Sequence, residues 1–190
     1  TLLSTDNTFD DLTISAGTAT LASAVVVTNA LTISGGTFAK STFAITSAGS
    51  LTMSGGDLTS TSGAVAITGA VNISSALSAI DFGSEAWTVS GTWTNASTDG
   101  TVWEAGTGSI LFDSATGGTM TFAGANLAEA EFSNVTFNSS AVASQTFTMA
   151  TRGLSWSGTL TISGDTILAK VTFTLGAEAS GALTVGGAGT

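Results

Sequence analysis

The tetrapeptide Leu12-Thr13-Ile14-Ser15 returns as Leu31-Thr32-Ile33-Ser34, as Leu51-Thr52-Met53-Ser54 and as Val71-Asn72-Ile73-Ser74, the four copies beginning 19, 20 and 20 residues apart. A fixed period near 20 is the mark of a solenoid, because a unit that short cannot bury its own apolar face and must stack on copies of itself. Within each copy apolar and polar residues alternate, as in Val25/Val27, Phe43/Ile45, Val65/Ile67 and Trp87/Val89. Alternation of period two, with β-branched and aromatic residues, describes short strands buried on one face. Ser-Gly-Gly, Ser-Ala-Gly and Thr-Gly-Ala separate them, and glycine suits such corners because it accepts positive φ without steric cost.

The expected fold is therefore all-β: a parallel β-solenoid with two or three short strands per coil of about 20 residues. In the coil Leu31 to Ser50, Leu31, Ile33, Phe38, Phe43 and Ile45 are expected inside, with Thr32, Ser34 and Thr46 facing water. Leu31, Ile33, Leu51, Met53, Val71 and Ile73 are expected to form inward stacks. About nine coils at ~4.8 Å would make a rod roughly 45 Å long. The architectural alternative is a β-sandwich of the pilus-subunit kind joined by a donated strand, which uses the same alternating strands without the 20-residue period.

Composition limits the chemistry. Only 8% of the 190 residues are charged and the net charge is −10, while about a third are Ser or Thr, so solubility rests on hydroxyls and carboxylates. Lys40, Arg152 and Lys170 are the three basic residues, too few to neutralise a run of phosphates, which excludes nucleic acid as a partner. There is no Cys or His, hence no thiolate chemistry and no imidazole base or ligand. No apolar run reaches the ~18 residues of a membrane-spanning helix, and membrane insertion is not expected. A start at Thr1 with no charged and apolar leader fits a processed, exported protein or an excised piece.

A longer echo overlies the short one. Phe9-Asp10-Asp11-Leu12-Thr13-Ile14 is matched by Phe132-Ser133-Asn134-Val135-Thr136-Phe137, and the stretch from Leu31 to Gly56 by that from Leu160 to Gly187, including Ala39-Lys40 and Ala169-Lys170. Residues 1–190 then read as a single repetitive β domain, with a first unit over about 9–131 and a partial second unit over about 132–190. Between Trp93 and Asn126 the rhythm loosens, which leaves open a wider coil or an antiparallel hairpin leaning off the rod.

The wording at 31–37 (Leu-Thr-Ile-Ser-Gly-Gly-Thr), 87–95 (Trp-Thr-Val-Ser-Gly-Thr-Trp-Thr-Asn) and 106–113 (Gly-Thr-Gly-Ser-Ile-Leu-Phe-Asp) resembles the β-strand-repeat extracellular surface proteins of bacteria and archaea. So does the aromatic-x-Asp/Asn-Leu/Val-Thr motif at 9–13 and 132–136. These are filamentous-haemagglutinin-like and autotransporter-like β-solenoids. The resemblance implies an extracellular or cell-surface location. It also implies a structural segment of a fibre, sheath or surface layer or, in the alternative, an adhesin rod that binds carbohydrate or a partner surface.

Candidate sites are few. Carbohydrate-cleaving β-helices need paired carboxylates on one exposed face, and the candidates are Asp10 with Asp11, Glu85, Glu104, and Glu129 with Glu131. Glu129 and Glu131, two apart in a strand, would share one face but have no basic residue near them in sequence; carboxylates are mostly exposed and solvated, so no enzyme activity is expected and no catalytic residue is assigned. Calcium would need six to eight oxygens, and Asp57 has no periodic Asp partner, so no metal or other cofactor is expected. Folding is accordingly expected to survive chelator. The sequons at Asn72, Asn95, Asn134 and Asn138 would permit glycosylation, and Asn72 and Asn134 should be exposed because they flank inward residues. Trp87, Trp93 and Trp103 could stack on sugars, but large aromatics in a solenoid more often fill the coil. Solenoid ends expose an unpaired rung, so the expected partner is a second copy of the chain, meeting it at Phe9, Leu12 and Ile14 on one end and Leu183 and Val185 on the other.

Overall fold

The structure, a computed structural model, describes residues 7–74, 78–96, 103–104, 106–113, 118–124, 132–139, 145–150, 156, 158–164 and 171–175. The described residues hold strands and no helix. The first coils contain β1 (Asn7–Ile14), β2 (Thr18–Thr20), β3 (Val25–Ile33), β4 (Thr37–Ser41), β5 (Ile45–Met53) and β6 (Asp57–Ser60). The middle contains β7 (Val65–Ile67), β8 (Val71–Ile73), β9 (Ala79–Asp81), β10 (Ala86–Val89), β11 (Trp93–Asn95) and β12 (Trp103–Glu104). The last coils contain β13 (Ser109–Asp113), β14 (Gly118–Gly124), β15 (Asn134–Ser139), β16 (Gln145–Ala150), β17 (Leu160–Gly164) and β18 (Val171–Leu175).

Every named strand pair is parallel, and the coils stack as a β-solenoid with three walls. One wall carries the rung Asn7, Val25, Ile45, Val65, Trp87, Ile110, Val135, Leu160. The second carries Leu12, Leu31, Leu51, Val71, Trp93, Phe122, Met149, Leu175. Strands β1, β3 and β5 run through the corner between these two walls, which joins them into one 13-stranded sheet. The third wall is a separate five-stranded sheet with Ala19, Phe38, Leu58, Ile80 and Trp103 in register.

The six residues expected as stacks, Leu31, Ile33, Leu51, Met53, Val71 and Ile73, are all 0% exposed. Phe38 and Ile45 are buried as well, while Ser34 and Thr46 face water. Phe43 departs from expectation: the strand begins at Ile45, and Phe43 is a corner residue only partly buried against the core. The apolar side chain at 43 fits the alternation of a strand's first inward residue, but its backbone closes the turn, its N–H bonding to the Lys40 carbonyl at 3.0 Å.

Coil length is not constant. Successive steps along the first rung are 18, 20, 20, 22, 23, 25 and 25 residues. Side chains grow with the coil: the rung passes from Val65 to Trp87, and the second wall from Val71 to Trp93. A longer perimeter encloses more space, and aromatic rings are the side chains that fill it at native density. Phe82, Trp93 and Phe112 all pack edge-on around Phe132 at centroid distances of 5.0 to 6.5 Å when their mutual contacts are included. The loosened rhythm from Trp93 onward is thus a wider coil: β13 and β14 pair in parallel with β10 and β11, in place of the antiparallel hairpin. The longer echo does not keep to one wall, since Leu31 lies in the second and Leu160 in the first.

Glycine is obligatory where corners stack. Gly36 has φ +73°, and a Cβ there would lie 2.3 Å from the Gly17 carbonyl oxygen, to which Thr37 N–H also bonds. Gly17 has φ +69° with nothing within 4 Å of a would-be Cβ. Gly36→Ala combines left-handed strain with a backbone clash and is expected to cost about 2–4 kcal/mol, whereas Gly17→Ala should cost about 1–2 kcal/mol. Thermal unfolding of the two variants checks the order.

Candidate functional site

The one concentration of ionic chemistry among the described residues lies inside a corner of the rod. Strand β4 alternates so that Phe38 and Lys40 point inward. At Lys40 the ladder skips, Ala39 pairing with Thr59 and Ser41 with Ser60, and Ser41 takes φ 55°. The bulge leaves Lys40 as the extra residue, and bulges re-aim side chains in this way. Its amine is fully buried and meets a fully buried carboxylate, Nζ standing 2.7 Å from Glu85 Oε2.

Three backbone carbonyls complete the amine's surroundings: Nζ donates to Phe43 at 3.1 Å, Ser62 at 2.6 Å and Gly63 at 2.7 Å. Glu85 lies two residues before Trp87, just as Gly63 precedes Val65 and Phe43 precedes Ile45, so three successive coils contribute to the cluster. Its two oxygens are divided. Oε1 accepts the Trp87 Nε1–H at 2.8 Å, and Oε2 accepts the Ser60 hydroxyl as well as the amine. A buried charge is tolerated only when paired and hydrogen-bonded, and here both charges are. A gap of about 10 Å³ beside Glu85, lined in part by Phe82, Ile110 and Phe132, has room for a water and not for a sugar ring.

The other carboxylates do not converge. Asp10 and Asp11 are exposed at the first wall's corner, where Asp11 Oδ1 accepts Asn29 Nδ2 at 2.8 Å and the Ala30 N–H at 3.1 Å, and Asp10 accepts Thr28 Oγ1 at 3.1 Å. Asp11 thus caps the Ala30 N–H where the β1–β3 register shifts between Phe9 and Asp11, and Asp10 bonds a side-chain hydroxyl. Asp57 and Asp81 lie on the outer side of the third wall, flanking the buried Leu58 and Ile80. Glu104 lies in β12, which pairs with β9, and Glu129 and Glu131 fall outside the described residues. Among the described residues no group of three or more acidic side chains could hold a metal ion.

Trp87 and Trp93 are 1% and 0% exposed, so they fill the coil and offer no sugar platform. Trp103 pairs with Ile80. Of the sequons, Asn72 is exposed, but Asn95 is 0% exposed because it alternates inward with Trp93, which corrects its reading as an acceptor in the folded chain. Asn134 is half-buried, its Oδ1 accepting the Thr159 N–H at 3.0 Å, and Asn138 Oδ1 accepts Ser163 Oγ at 3.0 Å. At the first described rung, Leu12 and Ile14 are buried at 8% and 6% and Phe9 partly so; Leu183 and Val185 lie outside the described residues.

Sequence reasoning singled out Glu85 as a carboxylate and missed its partners Lys40 and Ser60. The available signal was Lys40 itself, a cation two positions after Phe38 in a strand of period two, where only an inward side chain fits the pattern. No family profile, curated protein or solved structure matches the chain.

Proposed function

We propose that the chain is a structural subunit or segment of an extracellular fibre, sheath or surface layer that assembles through β-edge or end-to-end contacts. The supporting observation is the parallel ladder itself, which runs from β1 to β17 and β18, each of these outermost strands pairing on one side only among the described residues. An open rung invites another strand, and a head-to-tail contact that does not close into a ring makes a filament. The walls suit a scaffold: the second wall presents Thr13, Thr32, Thr52, Asn72 and Thr94 in one outward row, polar and free of charge. The site chemistry supports the same reading, because the one close acid and amine pair among the described residues is buried inside. The extracellular location rests on the wording of the repeats.

Electron microscopy of the purified protein is expected to show polymers. Leu183→Lys should cut them to monomers, while Thr32→Lys on the outer wall should leave them intact. Equal polymerisation of both variants, or a monomeric wild type at high concentration, would replace this reading with that of an adhesin rod. The uncharged hydroxyl row would then be the binding face, and a glycan array would identify its ligand.

A further inference from the structure

We infer that Lys40 and Glu85 are placed to form an intramolecular amide cross-link, a covalent staple between coils 45 residues apart in sequence. Nζ touches Oε2 at 2.7 Å, and the two side chains are each 0% exposed. Enforced contact of this kind supplies much of what a bimolecular condensation lacks. The inference is independent of whether the rod is a fibre or an adhesin.

The chemistry balances without a co-reactant. One proton passes from Nζ to Oε2, giving an amine and a carboxylic acid with no net charge buried. The nitrogen lone pair then attacks Cδ, and the negative charge that develops on Oε1 is met by the Trp87 Nε1–H, 2.8 Å from that oxygen in the ground state. The C–Oε2 bond breaks as Oε2 gains a second proton through the Ser60 hydroxyl, which already bonds to it, and the serine is reprotonated from the nitrogen. The products are one amide and one water. The three N–H of the ammonium become one amide N–H and two O–H of that water, so donors remain for the carbonyls of Phe43, Ser62 and Gly63.

Two readouts on the denatured full chain test the inference. Intact mass should be lower than the sequence mass by one water. Trypsin cuts after unmodified Lys and Arg, and the only such sites are Lys40, Arg152 and Lys170. A cross-linked chain should therefore keep residues 1–152 as one tryptic fragment, while an unlinked chain yields 1–40 and 41–152. Lys40→Arg keeps the charge but cannot form the lysine amide, and it should show the full sequence mass. Trp87→Phe should slow cross-linking while leaving Lys40 and Glu85 in place. A wild type of full mass that is cleaved after Lys40 overturns the inference, and so does a water loss that persists in Lys40→Arg.

Discussion

Replacing Lys40 with alanine while Glu85 stays in place is expected to destabilise the rod by about 3–5 kcal/mol, because it strands a carboxylate inside the corner with neither an amide partner nor a counter-ion. For a chain of this size that corresponds to a fall in Tm on the order of 10 °C. Glu85→Ala should be comparably severe, since the amine would keep its three carbonyls but no opposite charge. The double replacement Lys40→Ala/Glu85→Ala should lose less than the two single losses added together. It removes both charges at once, although the Trp87 Nε1–H and the Phe43, Ser62 and Gly63 carbonyls lose their partner. Thermal unfolding of the four proteins forms a cycle, and strict additivity would show that the two residues do not act on one another.

A second pair of substitutions, one residue apart, should have opposite outcomes. Leu51 is 0% exposed in the second wall's inner stack between Leu31 and Val71, and Thr52 stands on the outer side of the same strand. Leu51→Asp would bury an unpaired carboxylate among apolar side chains, a change of several kcal/mol that is expected to abolish cooperative folding. Thr52→Asp should stay within about 0.5 kcal/mol of the parent. Because side chains alternate in and out along a strand, a ladder shifted by one residue would reverse the two results. Circular dichroism against temperature is sufficient to tell them apart.

The strand content and the inner stacks could be read from sequence because each rested on a repeating local pattern. Leu31, Leu51 and Val71 occupy the same place in units of equal length, and equal length gives equal register. The pattern was lost where the coil widened. From Trp87 the spacing grows, and sequence alone does not say whether extra residues enlarge a perimeter or fold outward as a hairpin; the pairing of Trp87 with Ile110 decides it. The buried cluster was harder still. Lys40 and Glu85 come together only when three coils are stacked, so their contact is a property of the stack, which no single repeat contains. The burial of Asn95 was hidden for a related reason: alternation with Trp93 turns it inward, a fact that its sequon does not encode.

The steps of 18 to 29 residues along the two walls mean that strands meet their partners roughly 10–15% of the chain length away. That sequence separation is nearer to helical bundles than to β-sandwiches, whose distant pairings make them slow to fold. A ribosome delivers about 5–20 residues per second, so one coil emerges every one to four seconds or so, far longer than the microseconds in which short strands associate. The rod can therefore close in the order in which it is made, each finished coil serving as the template for the next. Pulse proteolysis of ribosome-stalled chains is expected to find residues 7–64 protected before the last strands exist, and protection arriving only with the complete chain would refute it. Such a protein never has to search for its topology, and its unfinished portion is at any moment little more than one coil long.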